Sequence, residues 1–367
     1  VKVMNNLSSF EHGGNIYKAI RQSGLPNKQF LDYSANINPL GLAASVRKSI
    51  AESLDDIVHY PDVEAHDLKT AIAEYYQVNY PTITVGNGAV ELLYILCHIR
   101  KPRRVLVLAP SFSEYERAAR ASDAIVEYYY LDEEKNFSLN ITEVISRLST
   151  VDIIFIGNPN NPTGNLVTNT ELEVLIQAAE NYNCMVVVDE SFIDFLPNDS
   201  HYTCRNLLAK YQNLVILHSL TKFYAIPGLR LGFALTSPGL TQLLHLAKDP
   251  WNVNTLAQLA GIAALKSSDY QANTKEIIQT AKSEFFNQLR EVHNIKCYQP
   301  AVNFILLNLA QTGLTANELK LRLFGKNILV RDCSNYPGLS PFFIRLAIKL
   351  PEQNSILLQA LKQSIKR

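Results

Sequence analysis

Short apolar runs alternate with amphipathic stretches from residue 80 to residue 240, and few architectures accept that order. The runs VLVLAP (105–110), DIIFIG (152–157), MVVVD (185–189), LVILHS (214–219) and LGFAL (231–235) are rich in β-branched residues and bounded by turn signals. They read as buried strands. Between them, TELEVLIQAAENY (170–182) spaces apolar residues three and four apart, which predicts a helix capped by Thr168 or Thr170. Strand–helix alternation over this length predicts an α/β fold, a mostly parallel sheet with helices on both faces.

The chain has 367 residues, enough for two domains. Beyond residue 254 come two long helical stretches and then NFILLNL (303–309), ILVRDC (328–333) and FFIRLAI (342–348), which suit a smaller α+β domain. The expected division is an N-terminal segment (1–50) packing with the small domain, a large domain (51–253) and a small C-terminal domain (254–367). Lys+Arg and Asp+Glu both number 34, so no basic surplus exists for nucleic acid. The five cysteines lie tens of residues apart with no C-x-x-C pair, which argues against a metal site and against a disulfide framework. Apolar runs fall far short of the roughly 20 residues of a membrane span. The opening VKVMNNLSSFEHGGN lacks the apolar core of a signal peptide, so a cytoplasmic protein is expected.

In open α/β sheets, ligands bind outside the carboxyl ends of the strands. Three successive runs here end in polar clusters: Asn158-Pro-Asn-Asn161, Asp189-Glu190 and Ser219-Leu-Thr-Lys222. One such cluster is ordinary, but the topology places all three in one crevice. A fourth piece, Gly86-Asn-Gly88-Ala89-Val90, leads straight into a helical pattern. A glycine-rich helix entry offers unpaired N–H groups and the positive end of a dipole, a natural phosphate cradle. Arg345 sits inside an apolar strand-like run, where an unpaired charge is costly, so it needs an anionic or polar partner.

Together these motifs resemble the fold-type I pyridoxal-phosphate enzymes, the aspartate aminotransferase superfamily. The stretch Ser219-Leu-Thr-Lys222-Phe-Tyr-Ala-Ile-Pro-Gly228-Leu-Arg230-Leu-Gly232 carries the resemblance. It implies a large domain of seven-stranded type that binds pyridoxal 5'-phosphate, plus the smaller domain. By the same resemblance, Lys222 is the catalytic lysine joined to the cofactor aldehyde. Ser219, Arg230 and the backbone at Gly88, Ala89 and Val90 would hold the cofactor phosphate. Asp189 would pair with the ring nitrogen, Asn161 would bond the phenolic oxygen, and Phe112 would stack on the ring. Tyr60, in His59-Tyr60-Pro61, matches a tyrosine that reaches the neighbouring subunit's cofactor, which implies a homodimer. Arg345 matches the arginine that binds a substrate carboxylate. Phe192 departs from the pattern, because many aminotransferases carry a tyrosine three residues after the strand-end aspartate.

The two ends of the chain narrow the resemblance. His12-Gly13-Gly14-Asn15, Asp32-Tyr-Ser34-Ala-Asn36 and Val330-Arg331-Asp332-Cys333 resemble the branch that decarboxylates L-threonine O-3-phosphate for cobalamin biosynthesis, close to the histidinol-phosphate aminotransferases. A phosphorylated amino acid brings two anions, and Arg331 and Arg345 are the arginines available besides Arg230. His12, Gly13, Asn36 and Asn161 would add neutral or backbone donors for the substrate. Glycine permits close backbone approach to an anion.

Overall fold

The computed structural model describes residues 12–25 and 28–365. In chain order the strands are β1 (Leu31–Asp32), β2 (Ile83–Gly86), β3 (Arg104–Ala109), β4 (Ile125–Tyr130), β5 (Ile153–Gly157), β6 (Met185–Asp189), β7 (Leu214–Ser219), β8 (Gly232–Leu235), β9 (Lys296–Cys297), β10 (Phe304–Asn308), β11 (Ile328–Leu329), β12 (Arg331–Asp332) and β13 (Phe343–Ala347). Seven of them form one sheet in the order β2-β8-β7-β6-β5-β3-β4. Only β8 runs antiparallel to its neighbours in that sheet.

The period of two explains why the central runs are apolar throughout. Ile154, Ile156, Val186, Val188, Leu214 and Ile216 join one core cluster. Their neighbours Ile153, Phe155, Met185, Val187, Val215 and Leu217 join another. Successive side chains point to opposite faces, and both faces lie under helices. Each such side chain contributes roughly 1.5–3 kcal/mol on full burial. The helix Asn169–Glu180 is capped by Thr168, with Glu171 closing a reciprocal capping box.

Two strands of the sheet, β2 and β4, escaped the sequence reading. β2 has only four residues, and β4 is a half-exposed edge strand rich in tyrosine, so neither gives a long apolar run. The C-terminal part also differs from expectation. It contains four helices, Thr255–Leu265, Ser268–Arg290, Ala316–Phe324 and Pro351–Ile365, rather than two. The run 328–333 is not one strand. Its first half, β11, pairs in parallel with β1, while β12 pairs antiparallel with β13 in a sheet of order β12-β13-β10-β9. The chain changes partner at Val330, which is buried in the C-terminal core.

Residues 31–33 meet this C-terminal region, with β1 alongside β11. Tyr33, fully buried, donates its hydroxyl to Asn354 at 3.1 Å, and its carbonyl accepts from the Ala347 N–H at 2.9 Å. That docking brings Ser34 and Asn36 to the carboxyl ends of the large sheet's strands.

Candidate active site

The carboxyl ends of β5, β6 and β7 open into a cavity of about 440 Å³. Fourteen of the fifteen residues singled out from the sequence line it: His12, Gly13, Asn36, Gly88, Ala89, Val90, Phe112, Asn161, Asp189, Ser219, Lys222, Arg230, Arg331 and Arg345. Tyr60 does not. It is 78% exposed and packs on Trp251, with ring centroids 4.7 Å apart.

One end of the cavity is built for an anion. Gly88 precedes the helix Ala89–Arg100 with φ 82° and supplies no side-chain cap, so the first N–H groups of the helix face the opening. A β-carbon on Gly88 would stand 2.5 Å from Arg230 Nη2, so the glycine makes room for the guanidinium. Behind it, Gly232 abuts the Ala89 N–H with no space for a side chain, which presses β8 against the helix entry. Ser219 and Thr221 add a hydroxyl pair 2.8 Å apart. Helix dipole, guanidinium and hydroxyls converge as a phosphate cup.

Next to the cup stands Lys222. Burial pushes its ammonium down to about 8; Arg230 adds to the effect, and Asp189 opposes it. A useful fraction of the amine is therefore unprotonated near neutral pH and nucleophilic. Its Nζ lies 5.4 Å from the centre of the Phe192 ring. Asp189, at the end of β6, accepts from the Ser191 N–H at 2.9 Å and from the Tyr115 hydroxyl at 2.8 Å. Those two bonds fix the carboxylate's orientation toward the cavity. Tyr115 itself is held by stacking on Phe155, with centroids 5.5 Å apart and planes at 12°, and lies edge-on to Phe112.

The opposite wall carries the two arginines. Arg331 on β12 and Arg345 on β13 are direct cross-strand partners, and each is only 6% exposed. Like charges directly opposite one another destabilise a sheet. Burial first, with the facing Arg331 adding to it, pushes the Arg345 guanidinium below its ordinary value. Arg345 donates to Asn161 and to the Ser34 carbonyl, the latter at 2.8 Å, but its Nε has no partner among the described residues. Arg331 donates to Asn335 at 2.8 Å and lies over the Tyr336 ring. Among the described residues, neither has a carboxylate bonded to it. The side-chain amide of Asn36 is buried, with neither polar atom paired among the described residues. A buried polar group without a partner is costly, so this wall awaits a ligand rich in acceptors.

Sequence reasoning missed Tyr115, Thr221, Glu114, Arg117, Ser34 and Tyr336. Thr221 was findable, since it lies inside the quoted 219–222 cluster. Ser34 lies inside the quoted 32–36 stretch and Tyr336 just past the quoted 330–333, whereas only the packing brings in Tyr115, Glu114 and Arg117.

A nucleophilic lysine between a phosphate cup and an oriented carboxylate, at the carboxyl ends of a mostly parallel sheet, defines a group-transfer enzyme that works through a phosphorylated cofactor. The chain belongs to the aminotransferase class I and II family, whose model matches residues 28–361. It is 38% identical over 362 residues to a protein of Caldanaerobacter subterraneus subsp. tengcongensis provisionally named a threonine-phosphate decarboxylase, covering 99% of this chain and 96% of the relative. It is 36% identical to the threonine-phosphate decarboxylase of Salmonella typhimurium, covering 96% and 95%. Among solved structures, the histidinol-phosphate aminotransferase of Clostridium acetobutylicum matches with a TM-score of 0.85 and 32% identity, covering 91% of this chain and 99% of that one.

Proposed function

We propose that this protein is a pyridoxal 5'-phosphate-dependent carboxy-lyase that converts L-threonine O-3-phosphate to (R)-1-aminopropan-2-yl phosphate and CO2, in cobalamin biosynthesis. The observation that carries the reading is the buried pair Arg331 and Arg345, facing each other with no bonded carboxylate among the described residues and lining the same cavity as Lys222. Two juxtaposed guanidiniums suit a substrate with two anionic groups. The names of the two relatives at 36% and 38% identity point the same way.

The cup fits the cofactor's phosphate, because the missing β-carbon at Gly88 leaves the place where oxygen atoms would meet Arg230 and the helix N–H groups. Once bound, pyridoxal phosphate supplies an aldehyde for the substrate amine and a ring that accepts the electron pair released at Cα. Lys222, with its lowered pKa, is the group that holds the cofactor at rest and carries a proton to or from Cα at its Nζ. Asp189, held by Tyr115 and Ser191, keeps a negative charge at the ring nitrogen. Phe112 would cover the ring, and Asn161 would reach its phenolic oxygen. Arg345 takes the carboxylate, while Arg331, His12, Gly13 and Asn36 take the phosphate end. By holding both anionic ends of the substrate, these residues would fix the orientation of Cα and so which of its bonds is exposed to cleavage.

Product analysis tests this reading. Cofactor-loaded protein incubated with O-phospho-L-threonine and no oxo acid is expected to release CO2 and aminopropanol phosphate over many turnovers. Absence of CO2, together with glutamate formation from histidinol phosphate and 2-oxoglutarate, would make it a histidinol-phosphate aminotransferase instead. The cup has its own prediction. Gly88→Ala strains a position with φ 82° and crowds Arg230, at a cost of about 1–3 kcal/mol, so cofactor retention falls about tenfold in equilibrium dialysis.

The same reading includes a homodimer. Ile57, Val58, Tyr60, Leu246 and Trp251 are large apolar residues exposed by 47 to 80%. A second copy covering them would bring Tyr60 to the partner's phosphate cup. Tyr60→Phe is expected to loosen cofactor binding without altering a dimeric sedimentation coefficient; a monomer in the unmodified protein would end the shared-site reading. Among the described residues, no helix is long and apolar enough to cross a membrane. We place the reaction in the cytoplasm.

A further inference from the structure

A carboxylate lines the substrate end of a cavity otherwise furnished for anions, and it demands a reason. Glu114, 5% exposed, begins the helix Glu114–Ala121. Its Oε1 accepts from His12 Nε2 at 2.6 Å and from Arg117 Nη1 at 2.8 Å, and its Oε2 accepts from the Tyr94 hydroxyl at 3.0 Å. Burial alone would raise this carboxyl's pKa; the bonds from His12 and Arg117 outweigh it and hold the group below its ordinary value. Glu114 is thus an ionised acceptor with the His12 ring and the Arg117 guanidinium converging on one oxygen.

The residues after His12 are pinned as well. The Gly14 N–H donates to Ser34 Oγ at 2.8 Å, and Gly13 lies so close to the Ser34 carbonyl that a side chain has no room. That carbonyl also receives Arg345. The glycine loop therefore runs from Glu114 on the large sheet's side of the cavity to Ser34 beside Arg345. His12 is the loop's contact with Glu114, and Arg117 reaches the same cavity from the helix.

We propose that Glu114 is a positioning residue that acts through His12 and Arg117 to set affinity for the substrate's phosphate. This rests on the reading of the substrate as a phosphorylated amino acid. Simple charge counting gives the opposite sign, because a carboxylate repels an anion. Positioning outweighs that repulsion here: one buried acceptor holds a donor from each of two half-exposed side chains at a single oxygen.

The test compares cofactor-loaded wild type with Glu114→Gln, His12→Ala and the double variant. Loading the cofactor first fills the Arg230 cup, so added inorganic phosphate reports on the substrate end. For Glu114→Gln, KM for O-phospho-L-threonine should rise about tenfold, the weight of one charge-assisted bond, with kcat changing far less. The thermal shift produced by inorganic phosphate should shrink in parallel, while the visible absorption of bound cofactor stays unchanged. In the His12→Ala background the same substitution should cost clearly less, because part of its effect runs through His12. Glu114→Asp, which keeps the charge but shortens the reach, should fall between. Unchanged or tighter phosphate binding in Glu114→Gln overturns the proposal, as does full additivity with His12→Ala. A variant that loses cofactor and phosphate response equally makes Glu114 a structural ion pair and overturns it too. If wild type fails to turn over phosphothreonine, the substrate reading fails instead, and the phosphate thermal shift still decides the role of Glu114.

Discussion

Lys222→Ala is expected to abolish turnover while leaving the folded protein intact. In the proposed function the side chain would supply both the amine that anchors the cofactor and the group that carries the Cα proton, and a positioned proton carrier alone contributes about 10²–10⁴-fold. The visible absorption of bound cofactor should disappear or move in the same variant, and retained multiple turnover would remove Lys222 from its role. The pKa of about 8 adds a second, less obvious expectation. The ordinary lysine value is 10.5, and burial in the cofactor-free fold pushes it down to about 8. Below about pH 8 both states hold the proton, and the folded state bears the full penalty of a buried ammonium. Between about 8 and 10.5 only the unfolded state binds the proton, so the penalty fades as pH rises. An uncharged replacement such as Lys222→Met should therefore stabilise the cofactor-free protein at pH 7, by on the order of 2 kcal/mol after allowance for partial exposure. That gain should shrink at pH 10. A melting temperature equal to wild type at both values would show that the site does not strain its lysine.

The sequence was most informative where chemistry sits at strand ends. Asp189, Ser219 and Lys222 close apolar runs, and an alternating α/β topology leaves such residues only one crevice to share. The helix entry at Gly88 was legible for a related reason, since a glycine before an amphipathic pattern exposes backbone donors. Arg345 was legible because a charge in an apolar strand has to be answered. What the sequence did not reveal depends on register. That Arg331 faces Arg345 follows from the pairing of β12 with β13, and the split at Val330 that creates β12 has no signal in the apolar pattern of 328–333. Tyr115 and Glu114 stand three and two residues beyond Phe112. Their partners, Asp189 and His12, lie 74 and 102 residues away, so only the folded chain joins them.

The facing arginines lead to the second large effect. Across a strand pair, two buried guanidiniums repel, and nothing in the described residues neutralises them by a carboxylate contact. The ligand-free protein therefore holds a local electrostatic cost that a dianionic substrate relieves. Arg331→Ala removes one of the two partners, and truncating one side of a buried charge pair costs about 2–5 kcal/mol of binding. The expected result is a fall in kcat/KM for O-phospho-L-threonine of about 10²–10³-fold. Cofactor retention should change little, because the Arg230 cup lies on the other wall. The ligand-free variant should be no less stable than wild type, since it has lost a like-charge contact along with the Asn335 bond and the packing on Tyr336. Wild type should gain more thermal stability from inorganic phosphate than Arg331→Ala does, because only wild type has both cations to satisfy. Equal losses of substrate turnover and cofactor retention would place Arg331 in the framework of the site rather than at the substrate. A strongly destabilised ligand-free variant would show that packing, not repulsion, dominates this strand pair.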